Sequence, residues 1–141
     1  MKQLHVGDVL HVYIGALAGQ GKPKLVVLVC CDAPVCCVLI NTQNAADVLQ
    51  SDELKLTQVL IDANRHAFLK YDSWIDAHEF FGIPEEMLVA AVNDGNHRGR
   101  VCPEILNELH RAIAIAPTIP ARKKQRVLDA LTAEIGSPPG K

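Results

Sequence analysis

From Leu25 to Ile40 the chain reads LVVLVCCDAPVCCVLI, two apolar and largely β-branched runs separated by Asp32, Ala33, Pro34 and Val35. Residues of this type suit a pleated, half-buried surface, and Asp with Pro supplies turn chemistry. The pattern predicts a hairpin, so at least one pair of antiparallel strands has to be accommodated. The same stretch holds four of the five cysteines as two adjacent pairs. A tetrahedral zinc site needs ligands converging on one point, usually through CxxC-type spacing, whereas neighbours along a strand point to opposite faces. The pairs therefore read as strand residues, with Cys31 near Cys36 and Cys30 near Cys37, one of each pair turned into a core as a small hydrophobe.

The flanking sequence extends the pattern. In DVLHVYIGA, Leu10, Val12 and Ile14 alternate with His11 and Tyr13, as in a strand with one face in the core. GALAGQGKPK reads as a flexible basic loop, LKLTQVLI as a further strand and SWIDA as a short one. IPEEMLVAAV fits either a helix opened by Pro84 or extended chain. Beyond NDGNHRGR, taken as a loop, the period changes. Ile105, Leu106, Leu109, Ala112, Ile113 and Ala116 recur at helical spacing after Pro103, and a second helix from about Ala121 stops at Gly136. Strands first and helices last predict an α+β fold, a small curled sheet or barrel with helices on its side. A chain of 141 residues suits one such domain over 1–136, with SPPGK giving a flexible tail at 137–141.

Several motifs lead away from chemistry. GQGK lacks the opening glycine and the hydroxyl residue of a phosphate-binding loop, since Ala16 and Pro23 occupy those places. His66, His78 and His97 lack metal-ligand spacing and are expected to be solvated, so no metal or cofactor is expected. Asp72 and Asp76 are too loosely spaced for an acid–base pair, and RKKQR at 122–126 reads as a solvated helical face. A net charge of −2 gives no global attraction to nucleic acid. Lys22, Lys24, Arg65, His66, Lys70, Arg98 and Arg100, however, fall in loops or at strand ends, where a barrel would gather them on one rim as a polyanion groove. The N-terminus lacks a signal-peptide pattern and no apolar run approaches membrane-spanning length, so a cytoplasmic protein with reduced thiols and no membrane contact is expected.

Three stretches give the chain a family likeness: GDVLHVYIG at the first strand, GKPKLVVLVCCD with VCCVLINT at the hairpin, and DSWID followed by GRVCPEILNELHRAI. In their order, from Val6 to Ala116, they resemble the MazF/PemK (Kid) toxins of toxin–antitoxin systems. The resemblance implies an SH3-like (CcdB/PemK-like) small β-barrel with C-terminal helices. It also implies a homodimer that binds single-stranded RNA and cleaves it as a metal-independent endoribonuclease, and that is held in check by an antitoxin peptide. Matched to the family motifs, Lys24 stands at the catalytic arginine and Thr42 at the catalytic hydroxyl residue; from the dispersed basic set, Lys22, Arg65 and His66 are added as substrate-positioning candidates. The family's usual proline is replaced by Leu25. Lysine is a point charge where arginine offers a planar fork, so the exchange favours a rival reading: a catalytically silent barrel that binds protein or nucleic acid. A third reading, a thiol or zinc protein centred on the cysteine pairs, remains open at this level.

Overall fold

Both apolar runs form strands in the computed structural model, which describes residues 4–13, 23–32 and 34–136. Among these residues six strands build one antiparallel sheet: β1 (Asp8–Tyr13), β2 (Pro23–Cys30), β3 (Cys36–Asn41), β4 (Gln58–Ile61), β5 (Ser73–Gly82) and β6 (His97–Arg100). Their spatial order is β4-β5-β3-β2-β1-β6, and the sheet is curled. Four helices accompany it: a single turn α1 (Ala45–Val48), α2 (Glu85–Asn93), α3 (Pro103–Ile115) and α4 (Ala121–Ile135). The α+β arrangement with C-terminal helices agrees with the order of periods in the sequence. None of the helices is long and apolar enough to cross a membrane.

The sheet is covered on both faces. Val9, Val27, Val38, Ile40, Ile61 and Ile75 pack with Ile105, Leu109, Ile113 and Leu131 of α3 and α4. Leu10, Val12, Val26, Leu28 and Leu39 pack on the other side with Ile83, Leu88 and Ala91. Double coverage explains why β2 and β3 read as continuous apolar runs and not as alternation. It also corrects the one-faced reading of β1, because Val9 and Leu10 are both fully buried but belong to opposite faces. Residues 14–22, Ile14 and Lys22 among them, lie outside the described residues, as does the tail at 137–141, whereas Pro23 and Lys24, read as the end of the loop, open β2.

Local expectations were corrected in four places. Of LKLTQVLI only the last four residues pair as a strand, since Asp52–Thr57 winds as a 3-10 turn with the Thr57 hydroxyl donating to the Leu54 carbonyl at 2.6 Å. The NDGNHRGR loop contains β6, which has no apolar alternation and is held by backbone pairing of Asp8 with Arg100 and Val9 with Gly99. Pro84 takes the N-cap position and α2 starts at Glu85, which decides the ambiguous segment in favour of helix. RKKQR is not simply solvated. Lys124 Nζ donates to the Ala116 carbonyl at 2.7 Å, capping α3, and Arg126 reaches the hairpin loop, where Nη2 donates to the Pro34 carbonyl at 2.7 Å.

The cysteine register is also corrected. Leu28 pairs with Cys37 and Cys30 with Cys36, because a bulge lies between Leu28 and Cys30. Cys30 and Cys37 are buried, Cys31 and Cys36 half-buried, and all five thiols are free. Burial pushes the Cys31 and Cys37 thiols up to about 12, so both stay protonated.

Candidate functional site

The β2–β3 register determines what faces Lys24. Val26 opposes Leu39, so two residues further along Lys24 opposes Asn41, and its Nζ donates to Asn41 Oδ1 at 2.7 Å. The cross-strand partner of the lysine is thus Asn41, with Thr42 the next residue, exposed just past the end of β3. Lys24, Asn41, Thr42 and Gln43 line a hollow of about 320 Å³ together with Val48 at the end of α1 and its C-cap Leu49. Both of those apolar side chains are exposed.

Thr42 also lines a second, larger hollow of about 870 Å³. It is lined by His11 and Leu25, which are register partners of β1 and β2, together with Ser73. The segment from Ala67 to Tyr71 forms one wall, bringing Phe68, Lys70 and Tyr71, and Arg98 of β6 closes the other. Tyr71 is 68% exposed, which leaves its ring open to a stacking partner. Arg98 Nη2 is steadied by Asn96 Oδ1 at 3.2 Å. The two hollows meet at Thr42, and among the described residues no carboxylate lines either of them. Lys24, Lys70 and Arg98 thus give a positive groove on a chain whose net charge is negative.

The remaining basic candidates are elsewhere. Arg65 turns to Asp62, with Nη2 2.8 Å from Oδ1, and approaches Glu104 at 3.8 Å. The hydrogen bond from Arg65 holds the Asp62 carboxyl down at about 2. Arg100 Nε donates to the buried Asp8 at 2.8 Å. His66, expected to be solvated, is only 2% exposed. Its Nε2 accepts the Cys102 backbone N–H at 3.1 Å, so the proton sits on Nδ1, which donates to the Asp62 carbonyl at 2.8 Å. With both ring nitrogens engaged, His66 joins the 62–66 turn to the start of α3 and has nothing to offer a substrate. Of the seven basic residues expected on one rim, Lys22 lies outside the described residues, and among the described ones Lys70 and Arg98 line one hollow and Lys24 the other.

The carboxylates of the 72–76 segment are structural. Asp72 Oδ1 accepts the Ala63 N–H at 2.8 Å. Asp76, nearly buried, accepts from Gln58 Nε2 at 2.8 Å and is in close contact with His78 Nδ1. Burial works to raise the Asp76 carboxyl, but the hydrogen bonds from His78 and Gln58 outweigh it and hold the group low. The same contact raises His78, which is therefore engaged and not solvated as its spacing suggested. Neither residue lines the groove.

His11, Asn41, Phe68 and Tyr71 were not singled out from sequence. Strand alternation around His11 and the pairing distance of Asn41 from Leu39 carried the relevant signal, but using it required the register. No protein-family model and no curated protein matches the chain.

Proposed function

We propose that the groove through Thr42 binds single-stranded RNA, and that the protein is a MazF/PemK-like, SH3-like barrel acting as a metal-independent endoribonuclease. The observation that carries this reading is the pair of joined hollows, lined by Lys24, Lys70 and Arg98 with no carboxylate among the described residues and with an exposed tyrosine at the edge. A single strand needs a cationic track for its phosphates and an aromatic face for a base, and both are present. In this scheme a ribose 2′-hydroxyl attacks the adjacent phosphate. Lys24 and the Thr42 hydroxyl stabilise the charge that gathers on the phosphoryl oxygens. His11, an imidazole lining the same hollow as Thr42, is suited to accept the attacking proton. Dimerisation would double the groove, and an acidic, extended antitoxin peptide would compete with RNA for it. Cytoplasmic RNA is the corresponding substrate.

A second reading is favoured by one contact: the Lys24 ammonium is held by Asn41, which suits a fixed phosphate anchor in a barrel that binds RNA without cutting it. Incubating the purified protein with a mixed-sequence RNA in chelator separates the two. Discrete fragments that fall by about 10²–10³ in rate with Thr42→Ala, and similarly with Lys24→Ala, support cleavage. Intact but bound RNA supports the binding module. No retention of RNA at low salt overturns both.

A further inference from the structure

The bulge in β2 places two thiols opposite each other that simple hairpin counting separates. Cys30 and Cys36 are direct cross-strand partners. Opposed Cα atoms in an antiparallel pair lie about 4.5–5.5 Å apart, inside the roughly 4.4–6.8 Å span of a disulfide. Cys30 belongs to the helix-side core and Cys36 packs against that same core, so the two side chains share a face. Cys37 belongs to the opposite face, and Cys31, held protonated by burial, has no partner in this register.

Their surroundings divide the roles. Cys36 is half-buried and receives a hydrogen bond from Arg126 Nη1 at 3.4 Å, while Arg126 Nη2 is bound to the carbonyls of Asp32 and Pro34. A guanidinium donor on sulfur stabilises the negative charge that develops as the sulfur attacks an oxidant. Cys30 is 1% exposed and shielded from direct attack. Each thiol donates to a loop carbonyl, Cys30 to Asp32 at 3.8 Å and Cys36 to Pro34 at 3.6 Å, and closing the pair exchanges these two weak hydrogen bonds for the S–S bond.

We propose that Cys36 and Cys30 form a peroxide-reactive thiol pair that closes to a reversible disulfide across the hairpin. Cys36 sulfur attacks one peroxide oxygen, the O–O bond breaks, and water leaves with Cys36 as the sulfenic acid. Cys30 sulfur then attacks Cys36 sulfur, the S–O bond breaks, and the Cys30 proton departs with the hydroxide as a second water. The two thiols are oxidised by two electrons and one peroxide is reduced. The product ties the strands together beside the loop held by Arg126, and that loop also walls an apolar hollow of about 580 Å³ between the hairpin and α2. This inference is independent of RNA binding.

The full chain, reduced and desalted, is treated with stoichiometric hydrogen peroxide and then denatured. The expected result is loss of two hydrogens in mass and of two of the five titratable thiols, both reversed by dithiothreitol. Fragment-ion mapping of the unmodified sequence should give a Cys30–Cys36 link, so the conclusion does not depend on a variant folding. Cys31→Ser should oxidise as the wild type does, and Cys30→Ser should stop at the Cys36 sulfenic acid, trapped with dimedone, and reach the sulfinic acid only when a second equivalent of peroxide is added. Five thiols retained, a Cys31–Cys36 link, or a wild-type product that stops at sulfinic acid overturns the proposal.

Discussion

Replacing His66 by phenylalanine tests whether that histidine is a core fastener or a ligand group. The ring is 2% exposed and meets Phe68 edge-on at 5.6 Å, so phenylalanine keeps the apolar area and the ring contact. What it removes is the acceptor for the Cys102 amide at 3.1 Å and the donor to the Asp62 carbonyl at 2.8 Å. The Cys102 amide sits at the N-cap of α3 and has no side-chain substitute. An unpaired buried donor costs about 1–3 kcal/mol, and the Asp62 carbonyl, in a half-exposed residue that water can reach, adds about 1 kcal/mol or less. The expected loss is about 1–4 kcal/mol, a large share of a typical domain stability of about 5–15 kcal/mol. Urea unfolding would show it as a lower midpoint at unchanged m, and melting would fall by roughly 10 °C. Arg65→Ala, next door on an exposed ion pair, should leave the urea midpoint close to that of the wild type. A His66→Phe variant within about 0.5 kcal/mol of wild type, comparable to an ordinary surface change, would refute the fastener role.

Three further outcomes follow from the same geometry. Gly7 has φ +95°, and a methyl group there would come within 3.2 Å of Leu106, so Gly7→Ala should cost about 1–3 kcal/mol by thermal melting; an unchanged Tm would refute this. The Asp76–His78 pair makes stability depend on pH in opposite senses at the two ends. His78, raised from 6.5, contributes stability fully below that value and loses it as pH rises through its higher folded value. Asp76, lowered from 3.8, contributes above that value and loses it as pH falls through its lower folded one. His78→Gln should therefore flatten the alkaline limb in urea titrations across pH, and a variant with the wild-type profile would show that the pair contributes nothing. For RNA binding, Lys70→Ala and Arg98→Ala should each reduce the slope of log K against log salt by about 0.7 without altering stability, and an unchanged slope for both would remove them from the phosphate track.

How much of this was legible without coordinates varied by element. The apolar recurrence through Ile105, Leu109 and Ile113 specifies α3 because a helix of any length repeats the same face locally. HRGR carries no such repeat, and it became β6 only because β1 offers it backbone partners some ninety residues away in sequence. The groove is an intermediate case. Lys24 and Thr42 stood out as residues, yet Asn41 as the partner of Lys24, and His11, Lys70, Tyr71 and Arg98 as neighbours of Thr42, depend on five separate segments meeting.

By itself the sequence determined the apolar strands β1 to β3, the start of β5, the two periodic C-terminal helices α3 and α4, and that the paired cysteines sit in a hairpin. Those properties follow from side-chain period and turn chemistry, which act over a few residues. Only the tertiary structure decided the partnerships: Cys30 with Cys36, His66 with the start of α3, and Lys24 with Asn41. A single bulge shifts a register by one residue and exchanges every facing pair beyond it, and buried polar groups choose partners by position in space and not by distance along the chain.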